Sequence, residues 1–301
     1  MRKVLVIGTG GTISCKNSGN GLSPALSVQE LVKDIKAPVQ ICTDQLCNID
    51  STNMTPRHWE QLARVIRTRF DKFDGFVITH GTDTMAYAAA SLACLIQNSR
   101  KPIVFTGSMK PMNAENSDAP KNLADAVAYA ADEHVFGVKL AFGGKLFDGR
   151  SVSKQNSTEA DAFDSLNSFP FSEKEYSGET KFYECLSDNV FVAKLIPGQT
   201  LVVPNGTRAV ILESYGAGGV PDYLADSVKS LADSGIYVII ATQCAKGGTN
   251  IGKYEVGKNA SENFPLIETG KLTIEYAVAK ARWALAYSDN YDTFRKLFFI
   301  D

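Results

Sequence analysis

Apolar positions along the chain follow two alternating periods. Lys3–Gly8 (KVLVIG) is a short continuous apolar run closed by glycine, the pattern of a parallel strand buried on both faces. Ser27–Asp34 opens with serine and carries glutamate three residues later, a capping-box helix start. Pro56–Phe70 sets Trp59, Leu62, Val65 and Ile66 on one helical stripe, with Thr55 at the N-cap and Pro56 at the first helical position. Gly75–Thr79, Pro102–Thr106 and Gly137–Phe142 read as strands, and Thr84–Gln97 and Asp118–Asp132 as helices.

Strands alternating with helices predict an α/β fold. The larger N-terminal domain, residues 1–163, is expected to be a doubly wound, mainly parallel sheet. The alternation then breaks: residues 165–180 (SLNSFPFSEKEYSGET) are rich in Ser, Glu, Pro and Gly, and 164–189 reads as a linker. A smaller C-terminal α/β domain, 190–301, is expected next. Its elements are a strand at Ala209–Glu213, a helix at Leu224–Ser234, a strand at Tyr237–Thr242 and a helix at Thr273–Tyr287.

In an open α/β sheet, ligands bind outside the carboxyl ends of the strands. Two unusual turns fall there. The first, GTGGTIS at 8–14, is not a dinucleotide fingerprint, because Ile13 stands where the third glycine belongs, and no Gly-Lys-Ser/Thr follows for a phosphate loop. It leaves the Thr12 hydroxyl on a glycine-rich turn, a nucleophile if a base takes its proton. The second, HGTDT at 80–84, carries Thr82 and Asp83, which either cap the following helix or bind a ligand ammonium and move a proton. Lys154, among small polar residues in GRSVSKQNSTEADAF, is either a surface lysine or a base. Asp50-Ser51-Thr52 is a polar joint after another strand, or a plain turn.

Composition narrows the function classes. With 44% hydrophobic residues in 301, a sizeable core is available. A net charge of −2 without like-charge runs argues against a nucleic-acid or anionic-membrane surface. No apolar stretch approaches the ~18 residues of a membrane span. MRKVLVIG enters a strand at once and lacks the features of a signal peptide, so a cytoplasmic location is expected. Six scattered cysteines and three histidines, with no C-x-x-C spacing, predict free thiols and no metal site.

The motifs GTGGTI (8–13), DSTNM (50–54), HGTDT (80–84) and GRSVSK (149–154) resemble, in order and spacing, those of the bacterial-type L-asparaginases. TGSMKPMNAENSDAPKNL (106–123) is similar to that family's segment after its next strand. The resemblance spans nearly the whole chain and points to the cytoplasmic, type I-like branch. It implies hydrolysis of a side-chain amide, that of L-asparagine, to a carboxylate and ammonia through an acyl-enzyme. In that reading Thr12 is the nucleophile, and Thr82, Asp83 and Lys154 form the proton-relay group. Ser51 and Asp83 bind the substrate's α-carboxylate and α-ammonium groups. Thr52, Gly11 and Gly81 are further substrate-binding positions, and Glu255, in KYEVG, either approaches the amino group or is a solvated turn glutamate. A homodimer or homotetramer is implied, with no metal or organic cofactor.

Two positions depart from the family's pattern: Leu22 takes the place of a lid tyrosine, and Gly219 that of an asparagine. They keep open a non-catalytic amino-acid-binding or regulatory protein on the same fold, and a relaxed asparaginase/glutaminase is the alternative within the same class. The asparaginase-like component of a tRNA amidotransferase is less favoured, because the chain opens at its first strand without a basic run.

Overall fold

A computed structural model describes residues 1–17, 19, 21–167, 178–253 and 265–300. The chain forms two compact units, Met1–Glu184 and Cys185–Asp301.

The first unit contains strands β1 (Lys3–Gly10), β2 (Cys15–Asn17), β3 (Leu22–Pro24), β4 (Gln40–Ile49), β5 (Gly75–Thr79), β6 (Ile96–Gln97), β7 (Ile103–Thr106), β8 (Val138–Phe142), β9 (Lys145–Asp148), β10 (Val152–Lys154), β11 (Phe163–Ser165) and β12 (Lys181–Phe182). Its helices are α1 (Val28–Val32), α2 (Pro56–Arg69), α3 (Met85–Leu95) and α4 (Ala119–Ala130). The main sheet has the order β4-β1-β5-β7-β8-β9. All its pairs are parallel except β8 with β9. The chain leaves β1 toward β4 on one side and returns to β5 on the other, so the order reverses at β1. That reversal opens a crevice at the carboxyl ends of β1 and β5.

Helices cover the sheet because its strands are apolar on both faces. Val4, Val6, Val77 and Val104 pack with Leu31 of α1 and with Leu123 and Val127 of α4, all of them buried. Each such side chain contributes roughly 1.5–3 kcal/mol when fully buried. Helix α1 starts as the sequence predicts, with the Ser27 N–H donating to Glu30 Oε2 (2.7 Å) and the Glu30 N–H to Ser27 Oγ (3.3 Å). Helix α3 ends earlier than its apolar run, because Ile96 and Gln97 pair antiparallel with Phe182 and Lys181 of β12. Tertiary strand pairing has overridden local helix propensity here. The stretch expected as a linker thus begins and ends in pairing, since β11 lies antiparallel to β10.

In the second unit, β13 (Val190–Lys194), β14 (Ala209–Ser214), β15 (Tyr237–Thr242) and β16 (Leu266–Glu268) form a parallel sheet in that order. Helices α5 (Asp222–Asp233), α6 (Ile274–Ala286) and α7 (Tyr291–Phe299) accompany it. Leu224 and Val228 of α5 pack on Val210, Leu212, Val238 and Ile240. Among the described residues no helix is long and apolar enough to cross a membrane.

Candidate active site

Three turns meet at the carboxyl ends of β1, β4 and β5, and glycines let them meet. Gly11 adopts φ 81° and ψ 178°, open to glycine but strained for other residues. A Cβ there would stand 2.3 Å from both the N and the Cα of Gly81. A Cβ on Gly81 would in turn lie 2.5 Å from Ser51 Oγ and 2.6 Å from Ser51 Cβ. The turns carrying Thr12, Thr82 and Ser51 are therefore packed against one another. Two hydrogen bonds hold the junction: Gly11 N–H to Ile49 O (3.0 Å) and Thr84 Oγ1 to Ser51 O (2.9 Å).

Lys154, at the end of β10, reaches this junction from far along the chain. Its Nζ donates to Thr82 Oγ1 at 2.9 Å and to Asp83 Oδ1 at 2.7 Å. The lysine side chain is mostly covered and the carboxylate is more than half exposed. Helix capping does not account for Thr82 and Asp83. The N-cap of α3 is Thr84, which makes no capping bond through its side chain and leans instead on Ser51. Thr82 and Asp83 face the ammonium. A hydroxyl that accepts from a lysine ammonium is suited to passing a proton.

Thr12 opens a 3-10 turn, Thr12–Ser14. At that first position its N–H has no acceptor within the turn. Buried Ser14 holds the turn in place. Its N–H and Oγ both donate to Gly11 O (3.0 and 2.9 Å), Oγ also lies 3.1 Å from Asn48 Oδ1, and its carbonyl accepts the Ala25 and Leu26 N–H groups (2.9 and 2.8 Å). Neither Ser14 nor Asn48 stands out in the sequence, because their bonds join segments 34 residues apart.

The remaining expected site residues divide. Ser51 is buried at the junction. Thr52 is engaged by its own turn, with N–H and Oγ1 both donating to Asp50 Oδ1 at 2.8 Å. Glu255 lies outside the described residues. The segment Lys16–Ser23, which carries Leu22 at the place of the lid tyrosine, begins and ends in antiparallel pairing, with Lys16 opposite Ser23 and Asn17 opposite an exposed Leu22. Gly219 forms a bridge with Tyr215 in the second unit.

His80 is only one letter of a motif in the sequence, and the structure gives it a distinct environment. It is fully buried, its Nδ1 is 2.8 Å from Gly81 O, and its ring meets Phe105 edge-on. Burial pushes its pKa down from the ordinary 6.5 to about 4, so the ring is neutral at pH 7.

The fold is an open α/β sheet whose switch point, where such sheets bind ligands, brings together hydroxyls, a lysine and a carboxylate. The sequence matches the family models for the N-terminal asparaginase domain over residues 3–185 and for the glutaminase/asparaginase C-terminal domain over 189–298. The chain belongs to the asparaginase family of amidohydrolases. It is 35% identical over 318 residues to the L-asparaginase of Thermococcus kodakarensis, covering 98% of this chain and 96% of that one. The solved structure of that thermostable enzyme superposes with a TM-score of 0.91 at 34% identity, over 99% of this chain and 97% of its own. L-asparaginase 1 of Escherichia coli K12 is 32% identical, with 98% and 95% covered. A component of the glutamyl-tRNA(Gln) amidotransferase of Pyrococcus abyssi is 28% identical, with 98% of this chain but 74% of that protein covered.

Proposed function

We propose that this protein hydrolyses the side-chain amide of L-asparagine to L-aspartate and ammonia, with Thr12 as the nucleophile. Thr12 Oγ1 attacks the amide carbon, and its proton passes to the leaving nitrogen through the Thr82–Lys154 group. The C–N bond breaks, and ammonia departs. Water then attacks the Thr12 ester, releasing aspartate and restoring the hydroxyl. The Thr12 turn supplies N–H donors to the oxyanion. Ser51 and Asp83 bind the α-carboxylate and α-ammonium groups.

The observation that carries this reading is Lys154 Nζ within hydrogen-bonding distance of both Thr82 and Asp83, on a turn packed against that of Thr12. Binding alone would not require two threonines and a lysine at one junction. The L-asparaginases among the relatives support asparagine as substrate, and their identity exceeds that of the amidotransferase component. A cytoplasmic homodimer or homotetramer is the form proposed, on the resemblance to the type I-like branch.

Ammonia release from L-asparagine, L-glutamine and D-asparagine tests the proposal. Hydrolysis of L-asparagine in preference to the others, abolished by Thr12→Ala, is expected. Equal specificity constants for asparagine and glutamine would remove the substrate assignment, and unchanged activity in Thr12→Ala would remove the nucleophile.

A further inference from the structure

The segment after β7, Gly107–Met112, touches both turns of the proposed site. The backbone of Gly107 packs on His80, where an added Cβ would lie 2.3 Å from the carbonyl oxygen. The Met112 N–H donates to Ile13 O at 3.2 Å. One end of this segment therefore borders the turn of Thr82, and the other borders that of Thr12.

Two residues of α4 hold it there. Asp118 stands at the N-cap of α4, a position where an aspartate ordinarily accepts N–H groups of its own helix. It makes no such bond. Ser117 Oγ accepts the Ala119 N–H instead (3.1 Å). The Asp118 carboxylate turns back and accepts the N–H of Met109 (2.9 Å to Oδ2) and of Lys110 (3.0 Å to Oδ1). Asn122, one helical turn on and 2% exposed, donates from Nδ2 to Asp118 Oδ2 (3.1 Å) and to Gly107 O (3.0 Å). Its Oδ1 accepts the Gly143 N–H at 3.0 Å, which ties the loop after β8 to the same point. A buried amide with both ends engaged fixes its partners strongly, because each bond lost would leave a polar group unpaired away from water.

We propose that Asp118 and Asn122 are positioning residues for the site, fixing Gly107–Met112 and through it the spacing between the Thr12 and Thr82 turns. The proposal rests on the amide-hydrolysis reading above. Its sequence signature is the segment 106–123, which the mechanism does not otherwise use. Neither side chain is assigned a contact with substrate.

The test compares Asp118→Asn, which keeps the size but sets an amide against the two N–H groups, with Asn122→Leu, which keeps the volume without the bonds. Asp125→Ala, which removes an exposed ion pair with Lys121 on the same helix, serves as control. Active sites are titrated with an electrophilic asparagine analogue, so that rates are expressed per competent site. A role confined to folding lowers the number of sites and leaves the rate of each unchanged. The expected result is kcat/KM per site lowered about 10- to 100-fold in each variant, since a small misplacement of reacting groups costs on that order. The control stays within twofold. The double variant is no more than threefold worse than the worse single one, as for groups acting as a unit. Per-site rates within twofold of the parent in either folded variant, or a loss confined to the number of sites, overturns the proposal. Absence of ammonia release from L-asparagine in the parent protein removes the hydrolysis reading separately.

Discussion

Gly81→Ala is the perturbation whose size follows most directly from the packing of the junction. The added methyl would lie 2.5 Å from Ser51 Oγ, 2.6 Å from Ser51 Cβ and 3.2 Å from Gly11 Cα. Carbon atoms in contact prefer about 3.5–4.0 Å, so either the Thr82 turn or Ser51 must move by about 1 Å. A displacement of that size near reacting groups costs on the order of 10²-fold in rate, about 2.7 kcal/mol of barrier. Overpacking costs about 1–3 kcal/mol of stability as well. The assay is kcat/KM for L-asparagine with thermal unfolding in parallel, in wild type and in a Ser51→Gly background. Removing the Ser51 side chain removes the two closest obstructions, so Gly81→Ala is expected to cost less than about tenfold there. Gly252→Ala, with nothing within 4 Å of the new methyl, is the neutral control. A Gly81→Ala protein within threefold of wild type, or a loss unchanged in the Ser51→Gly background, refutes the packed-junction argument.

Further expectations follow from the same geometry. Thr82→Val combined with Lys154→Met is expected to cost little more than the worse single change, and steady-state losses that simply multiply would show that the two residues act independently. Below pH 6.5 the unfolded chain protonates His80 while the folded ring resists until about pH 4. Its contribution to stability is therefore complete above pH 6.5 and lost as the pH falls toward 4, by an amount on the order of 3 kcal/mol. Denaturant unfolding between pH 7 and pH 4, with the His80 ring followed by NMR, checks this, and a ring titrating near 6.5 in the folded protein contradicts it. Leu22→Tyr, at an exposed hairpin position, is expected to leave substrate affinity near its starting value and to raise the single-turnover rate of acyl-enzyme formation. A fall in that rate would show that a hydroxyl at position 22 does not assist Thr12.

The strands legible in the sequence are the continuously apolar ones. Lys3–Gly8, Gly75–Thr79 and Tyr237–Thr242 are buried between covering layers, and that burial is written into their composition. The three-residue β10 and β11 carry no such run, so their pairing could not be read locally, and β13 has only the short run Val190–Ala193, half-buried on a sheet edge. The early end of α3 depends on Lys181 and Phe182, more than 80 residues away. In the site, turn chemistry points to the first and second turns, whereas local sequence leaves Lys154 indistinguishable from a surface lysine. Its link to Thr82 spans 72 residues and comes only from the order of motifs. Thr52 shows the reverse case, a hydroxyl in the right motif that its own turn engages through Asp50.

As the proposed nucleophile, Thr12 forms the covalent bond to substrate. Incubation with an electrophilic asparagine analogue, followed by peptide mass spectrometry of wild type and Thr12→Ala, addresses it directly. One tag per chain is expected, on Thr12, competed by L-asparagine and absent from the folded Thr12→Ala protein. A tag on Thr82 with Thr12 unmodified, or undiminished labelling and ammonia release in Thr12→Ala, would contradict it.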